Sequence, residues 1–170
     1  MRKVETHYLE YFWPMRHYLI TCGSGAESNV VAVSFCMPVA KEPPMVACAI
    51  GWDMWSAELI DRHGEFVVNV PAQELRREVY YCGTHSGRDV DKFEGAGLTR
   101  APARHTQAPI VAECVAHVEC KVEESLVVGD KVLFTGVVLD AYADEDVATG
   151  SRKVEFASGA FPKSVYGTRS

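Results

Sequence analysis

The chain has 170 residues, a formal charge of −6 and nearly half of its residues apolar, enough for one domain spanning 1–170 with a buried core. The acidic balance supplies no basic field for nucleic acid or an anionic membrane. No segment reaches bilayer length and the charged opening "MRKVETHYLE" lacks the apolar stretch of a signal peptide, so a cytoplasmic protein is expected.

In chain order, "HYLITCG" and "SNVVAVSFC" are apolar, β-branched runs separated by "GSGAE", a Gly-rich stretch suited to reversing direction. "PPMVACAIG" and "GEFVVNVP" are a third and a fourth strand. Between them "SAELIDRHG" reads as a short helix, with Ser56 as N-cap, Glu58 in the first turn and Gly64 at the C-terminal turn. "AQELRREVYYCG" is an amphipathic helix that sets Leu75, Val79 and Cys82 on one face and ends at Gly83. In "CGTHSGRDVDKFEGAGL", Ser86 and Asp89 resemble a capping box for a helix that ends at Gly95 or Gly97.

"CVAHVECKVEE" alternates strictly. Cys114, Ala116, Val118, Cys120 and Val122 are expected inside, with His117, Glu119, Lys121 and Glu123 in water. Gly129-Asp130 then turns a hairpin into "KVLFTGVVLDAYAD". Beyond Ala143 only Phe156, Phe161 and Tyr166 suggest packing. Hairpins with few helices predict a mainly β protein, an antiparallel barrel with short inserted helices.

The six cysteines are scattered through apolar runs and read as reduced core residues. Metal is not expected: alternation turns His117 away from Cys114 and Cys120, and Cys82 with His85 lacks a second pair. No phosphate loop, dinucleotide fingerprint or nucleophile elbow occurs. The loop at Ser86 remains. A helix start there, with the Ser86 hydroxyl, Arg88 and Lys92, suits an anion. Taken alone, it is better read as a solvated face on which Arg88, Asp89, Asp91 and Lys92 pair.

Four segments in order, "SNVVAVSFCMPVAKEPPMVACAIG", "SAELIDRHGEFVVNVP", "CGTHSGRDVDKFEGAGL" and "APIVAECVAHVECKV", resemble the flavin reductase-like family that includes the flavoredoxins. The resemblance implies an FMN-binding split barrel acting as a homodimer. It implies flavin contacts at Asn29, Val30, Ser34, Phe35, Cys36 and Met37, partly through backbone groups, at Ser56, and at Ser86, Gly87, Arg88 and Lys92. The family often places a Ser and an Arg before the capping Ser, where this chain has Asp53 and Met54, so either the phosphate relies more on Arg88 and Lys92 or the ligand sits differently here. Trp52 and Trp55 suit a stacked ring or an apolar interface equally. The implied function is an FMN-dependent oxidoreductase that carries electrons from NADH or NADPH to a flavin, ferric iron or an electron-transfer protein. The alternatives are an FMN-binding electron carrier without its own nicotinamide site, or a barrel that has lost FMN and serves as a structural module. The flavin carries the hard chemistry, so no catalytic residue is implied beyond a speculative role for Cys36.

Overall fold

The computed structural model describes residues 8–161. The apolar runs become strands β1 (Tyr18–Cys22), β2 (Asn29–Val33), β3 (Cys36–Lys41), β4 (Pro44–Gly51) and β5 (Glu65–Val70). A two-residue pair, β6 (Arg100–Ala101) and β7 (Ile110–Val111), precedes the long hairpin of β8 (Ala116–Val128) and β9 (Lys131–Ala143). The helices are α1 (Trp55–His63), α2 (Arg76–Thr84), α3 (Lys92–Ala96) and α4 (Glu145–Ala148).

Seven strands form one antiparallel sheet in the order β2-β1-β5-β8-β9-β4-β3. The two edge strands, β2 and β3, are consecutive in the chain and joined only by Ser34 and Phe35. A link that short forces the sheet to curl until its edges meet. The edges are not hydrogen-bonded to each other, so the barrel is split along β2 and β3. Each leaves backbone N–H and C=O groups on its free side without a strand partner.

Alternation along β1 and β2 fills two cores. Ile20, Cys22, Val31 and Val33 point into the barrel with Phe66, Cys48 and Phe134, and Leu59 and Ile60 of α1 plug it. Leu19 and Val30 point outward against Val79 and Cys82 of α2 and Phe93 of α3. Both faces are dry, which is why these runs read as continuously apolar. α1 ends at Gly64 in the left-handed conformation (φ 68°), as its sequence demands. The hairpin turns at Gly129 (φ 59°). All six cysteines are free thiols, five of them buried.

Three expectations are corrected. The outer face of β8 is wet only from Lys121 onward, because residues 104–108 lie over its first half. His117 is buried and donates from Nδ1 to Asn69 Oδ1 at 2.8 Å. Glu119 is wholly buried and accepts the N–H groups of Arg104, His105 and Thr106 at 2.7–2.9 Å and the Tyr142 hydroxyl at 2.9 Å. A charged residue on an alternating strand signals water only if no other part of the chain folds over it. Second, Ser56 does not cap α1. The helix starts at Trp55 with Met54 as N-cap, and the Ser56 side chain turns inward. Third, Ser86 does not cap α3. Asp91 does, accepting from the N–H groups of Phe93 and Glu94, while Ser86 closes a turn through its carbonyl to Asp89 and Val90.

The tail packs as its aromatics suggest: Phe161 is buried in the second core and Phe156 lies 3.6 Å beneath the Arg16 guanidinium. Tyr166 lies outside the described residues. Among the described residues no helix is long and apolar enough to cross a membrane.

Candidate functional site

A groove follows the split. Its head, about 300 Å³, lies between the start of β2, the start of α1 and the loop from α2 to α3. Val31, Met54 and Gly83 also line a second cavity of about 340 Å³, bounded by Ser34, Phe35 and the hairpin residues Asp130 and Lys131. Ser34 and Phe35 in turn border a third space of about 560 Å³, walled by Phe12, Tyr18, Cys36 and Met37. Each of these cavities falls within the usual size of ligand and cofactor sites.

The structure brings most of the expected residues to this groove. Asn29, Ser56, Ser86, Gly87, Arg88 and Lys92 line the head. Ser34, Phe35, Cys36 and Met37 line the rest. Val30 is different: its side chain is fully buried in the second core, so only its backbone is left for a ligand. Burial pushes the Cys36 thiol up to about 12, so it is not a thiolate at neutral pH.

Close packing shapes the head. Asn29 Nδ2 donates to the Ser56 hydroxyl at 2.8 Å, both side chains buried, tying the free edge of β2 to α1. Gly87 passes directly over this pair, and a Cβ there would lie 2.4 Å from Asn29 Oδ1. The glycine is needed for the approach of the loop.

The two cations expected here differ in kind. Arg88 is half exposed, ion-paired to Glu58 at 2.7 Å and set over the Trp55 ring. Lys92 is only 4 % exposed. Its Nζ donates to the Cys82 carbonyl at 3.0 Å, and among the described residues it joins no ion pair. Burial holds its pKa below the ordinary lysine value. A buried ammonium lacking a counter-charge at the wall of a cavity is costly unless an anion completes it. Asp53 lines the same head, with its carboxylate folded back over Gly51, within 3.1 Å of where a Cβ on that glycine would stand. Trp55 lies near two guanidinium groups, Arg62 and Arg88, whereas Trp52 is largely exposed.

Sequence reasoning missed three contributors. His85 stacks on Tyr81 at 3.8 Å and lines the head. Phe161, from the far end of the described chain, lines the second cavity. His17, buried just before β1, bonds Ser34. His17 and Phe161 lie far in sequence from the motifs and left no local signal, whereas His85 sits inside one of them and enters the sequence reading only as a candidate metal ligand. Among the described residues no cluster of three or more His, Cys, Asp or Glu is placed to hold a metal.

Comparison with known proteins identifies the family. Residues 12–162 match the flavin reductase like domain, and the chain belongs to that family. An uncharacterized protein of Archaeoglobus fulgidus is 37 % identical over 150 residues, 85 % of this chain and 84 % of the relative. The NADH-dependent FMN reductase AsuE2 of Streptomyces nodosus subsp. asukaensis is 31 % identical over 136 residues, 78 % of this chain and 70 % of that protein. Among solved structures, flavoredoxin from Methanosarcina acetivorans superposes with a TM-score of 0.78 at 27 % identity, covering 86 % of this chain and 77 % of that one.

Proposed function

We propose that this chain is an FMN-dependent oxidoreductase that takes electrons from NADH or NADPH and passes them to a small molecule or an electron-transfer protein. The observation that carries the reading is Lys92, a buried cation without a counter-charge among the described residues, at the head of a groove walled by two edge strands. A phosphate suits that head, which Lys92 and Ser86 both line. Edge backbone from Asn29 to Met37 suits the polar rim of a flat heterocycle, with Phe35 and Met54 on its apolar side. Bound FMN would supply hydride acceptance and stepwise electron release, which no side chain here provides. The protein's part is to bind, orient and shield.

The third space favours a reductase over a carrier, because it leaves room for a second flat molecule beside the ring end of the groove. We also propose a homodimer. Leu126, Val127 and Val128 are each more than half exposed on the hairpin whose Asp130 and Lys131 border the groove, so a second copy there would cover apolar surface beside the site. The domain would act as one flavin-binding unit.

Protein purified with FMN should be yellow and should bleach on anaerobic addition of NADH or NADPH. A yellow protein that either nicotinamide leaves unchanged is a carrier, and a colourless one that ignores added FMN defeats the reading. Gly87→Ala tests the head separately. Its Cβ forces the loop off Asn29, so FMN affinity should fall by about tenfold or more, read by fluorescence titration. Unchanged affinity would mean that the loop does not contact the ligand.

A further inference from the structure

The third cavity, about 560 Å³, gathers apolar side chains that the fold leaves uncovered. Phe12, Phe35 and Met37 border it and are 65 %, 38 % and 60 % exposed. Met15 and Leu133 extend the same wall. Large apolar side chains left exposed and converging on one concavity mark a place for a ligand.

One charge faces this wall. Among the described residues lining the cavity, Arg16 alone is ionised at neutral pH. Burial raises the pKa of both Tyr18 and Cys36, so the phenol and the thiol keep their protons. The Arg16 guanidinium lies 3.6 Å from the centre of the Phe156 ring and 5.2 Å from that of Tyr18. A backbone bridge from Arg16 to Ser158 fixes the start of the side chain. Ring contacts of this kind hold the cation without using its N–H donors. Among the described residues Arg16 joins no ion pair and donates no side-chain hydrogen bond. Arg88 and Arg100, by contrast, are each paired with a carboxylate.

We propose that this cavity binds a flat aromatic molecule carrying one carboxylate, and that Arg16 selects it. A ring suits the Phe12, Phe35 and Met37 wall, and the guanidinium fork matches the two oxygens of a carboxylate. A phosphate dianion fits less well, because one guanidinium leaves half of its charge uncompensated against apolar walls. The site is built from this chain's own residues. Only its place beside a flavin rests on the reading above, which leaves the chemical class of the second molecule open.

Naphthalene carboxylate and the corresponding neutral carboxamide are the probes, titrated calorimetrically into the protein with and without FMN. The carboxylate should bind at least about tenfold more tightly than the carboxamide. Arg16→Gln should bring the two within about twofold of each other by weakening the carboxylate alone. Arg16→Lys keeps the charge without the fork and should fall between them. Ala49→Leu narrows the cavity from the opposite side of the charge question, and should weaken both probes alike by about threefold or more. Thermal unfolding of each variant checks the fold, and Arg16→Met serves where Arg16→Gln does not fold. Equal binding of the two probes, or a preference that survives the loss of Arg16, overturns the proposal. So does a protein that binds neither probe, as when a second copy covers these side chains. A protein that prefers the carboxylate but binds no FMN supports this site and overturns the flavin reading instead.

Discussion

Lys92→Met should lower FMN affinity by about a hundredfold while leaving the apoprotein as stable as before, or more so. The affinity loss follows from removing a charge-assisted contact in a desolvated place, about 2–3 kcal/mol. The stability result has the opposite origin. Without ligand, the Lys92 ammonium is buried, donates among the described residues only to the Cys82 carbonyl and has its pKa depressed by desolvation. Replacing it with an apolar chain of similar length relieves that cost. Arg88→Ala should change affinity by less than about threefold, because its guanidinium is half exposed and already satisfied by Glu58. Isothermal titration with FMN and thermal unfolding of the apoproteins read both effects. Parental affinity in Lys92→Met, or a larger loss in Arg88→Ala, would place the phosphate elsewhere.

Glu119→Ala should lower stability by about 3–5 kcal/mol, a fall in Tm of roughly 6–20 °C for a chain of this size. The substitution strands three backbone N–H groups, that of Thr106 buried, and the Tyr142 hydroxyl at once. Glu65 on the neighbouring strand takes the N–H groups of Gln107 and Ala108, so the two carboxylates together pin the 104–108 segment over β5 and β8. The effect depends on pH with a definite sign. Desolvation alone would raise the Glu119 pKa, but the backbone N–H groups and the Tyr142 hydroxyl outweigh it and hold the carboxyl below its ordinary value. The folded form therefore binds a proton less readily than the unfolded chain. The contribution is full above the ordinary carboxylate range and is lost as pH falls through that range toward the depressed value. Urea unfolding at neutral pH and near pH 3 should show the gap between parent and Glu119→Gln shrinking in acid. A gap under about 0.5 kcal/mol at neutral pH would contradict the clasp.

Much of the barrel was legible because its signals are local. Period-two burial, Gly64 at a helix end and Gly129 at a hairpin each act within a few residues. The resemblance to a known family supplied the strand that borders the groove and the loop at its head. What stayed hidden depends on distant partners. The "wet" positions of β8 were dried by a segment that precedes that strand and folds back over it. Ser56 had the right chemistry for a cap, but buried Asn29 claimed its hydroxyl. Asp91, five residues beyond Ser86, was the better cap because it reaches two N–H groups at once. Lys92 looked like a solvated helix residue, and only tertiary packing shows that it is enclosed. The Asp53-Met54 departure made Arg88 and Lys92 appear equivalent substitutes for a missing cation. The geometry separates them, since one is neutralised by Glu58 and the other is not.

A crystal structure of the FMN complex is the most direct test of the account. It should show the phosphate within ion-pair distance of Lys92 Nζ, beneath the Ser86–Arg88 loop, with the ring along Ser34 and Phe35 at the split. A phosphate away from Lys92, or a ring that avoids the β2 and β3 edges, would contradict it.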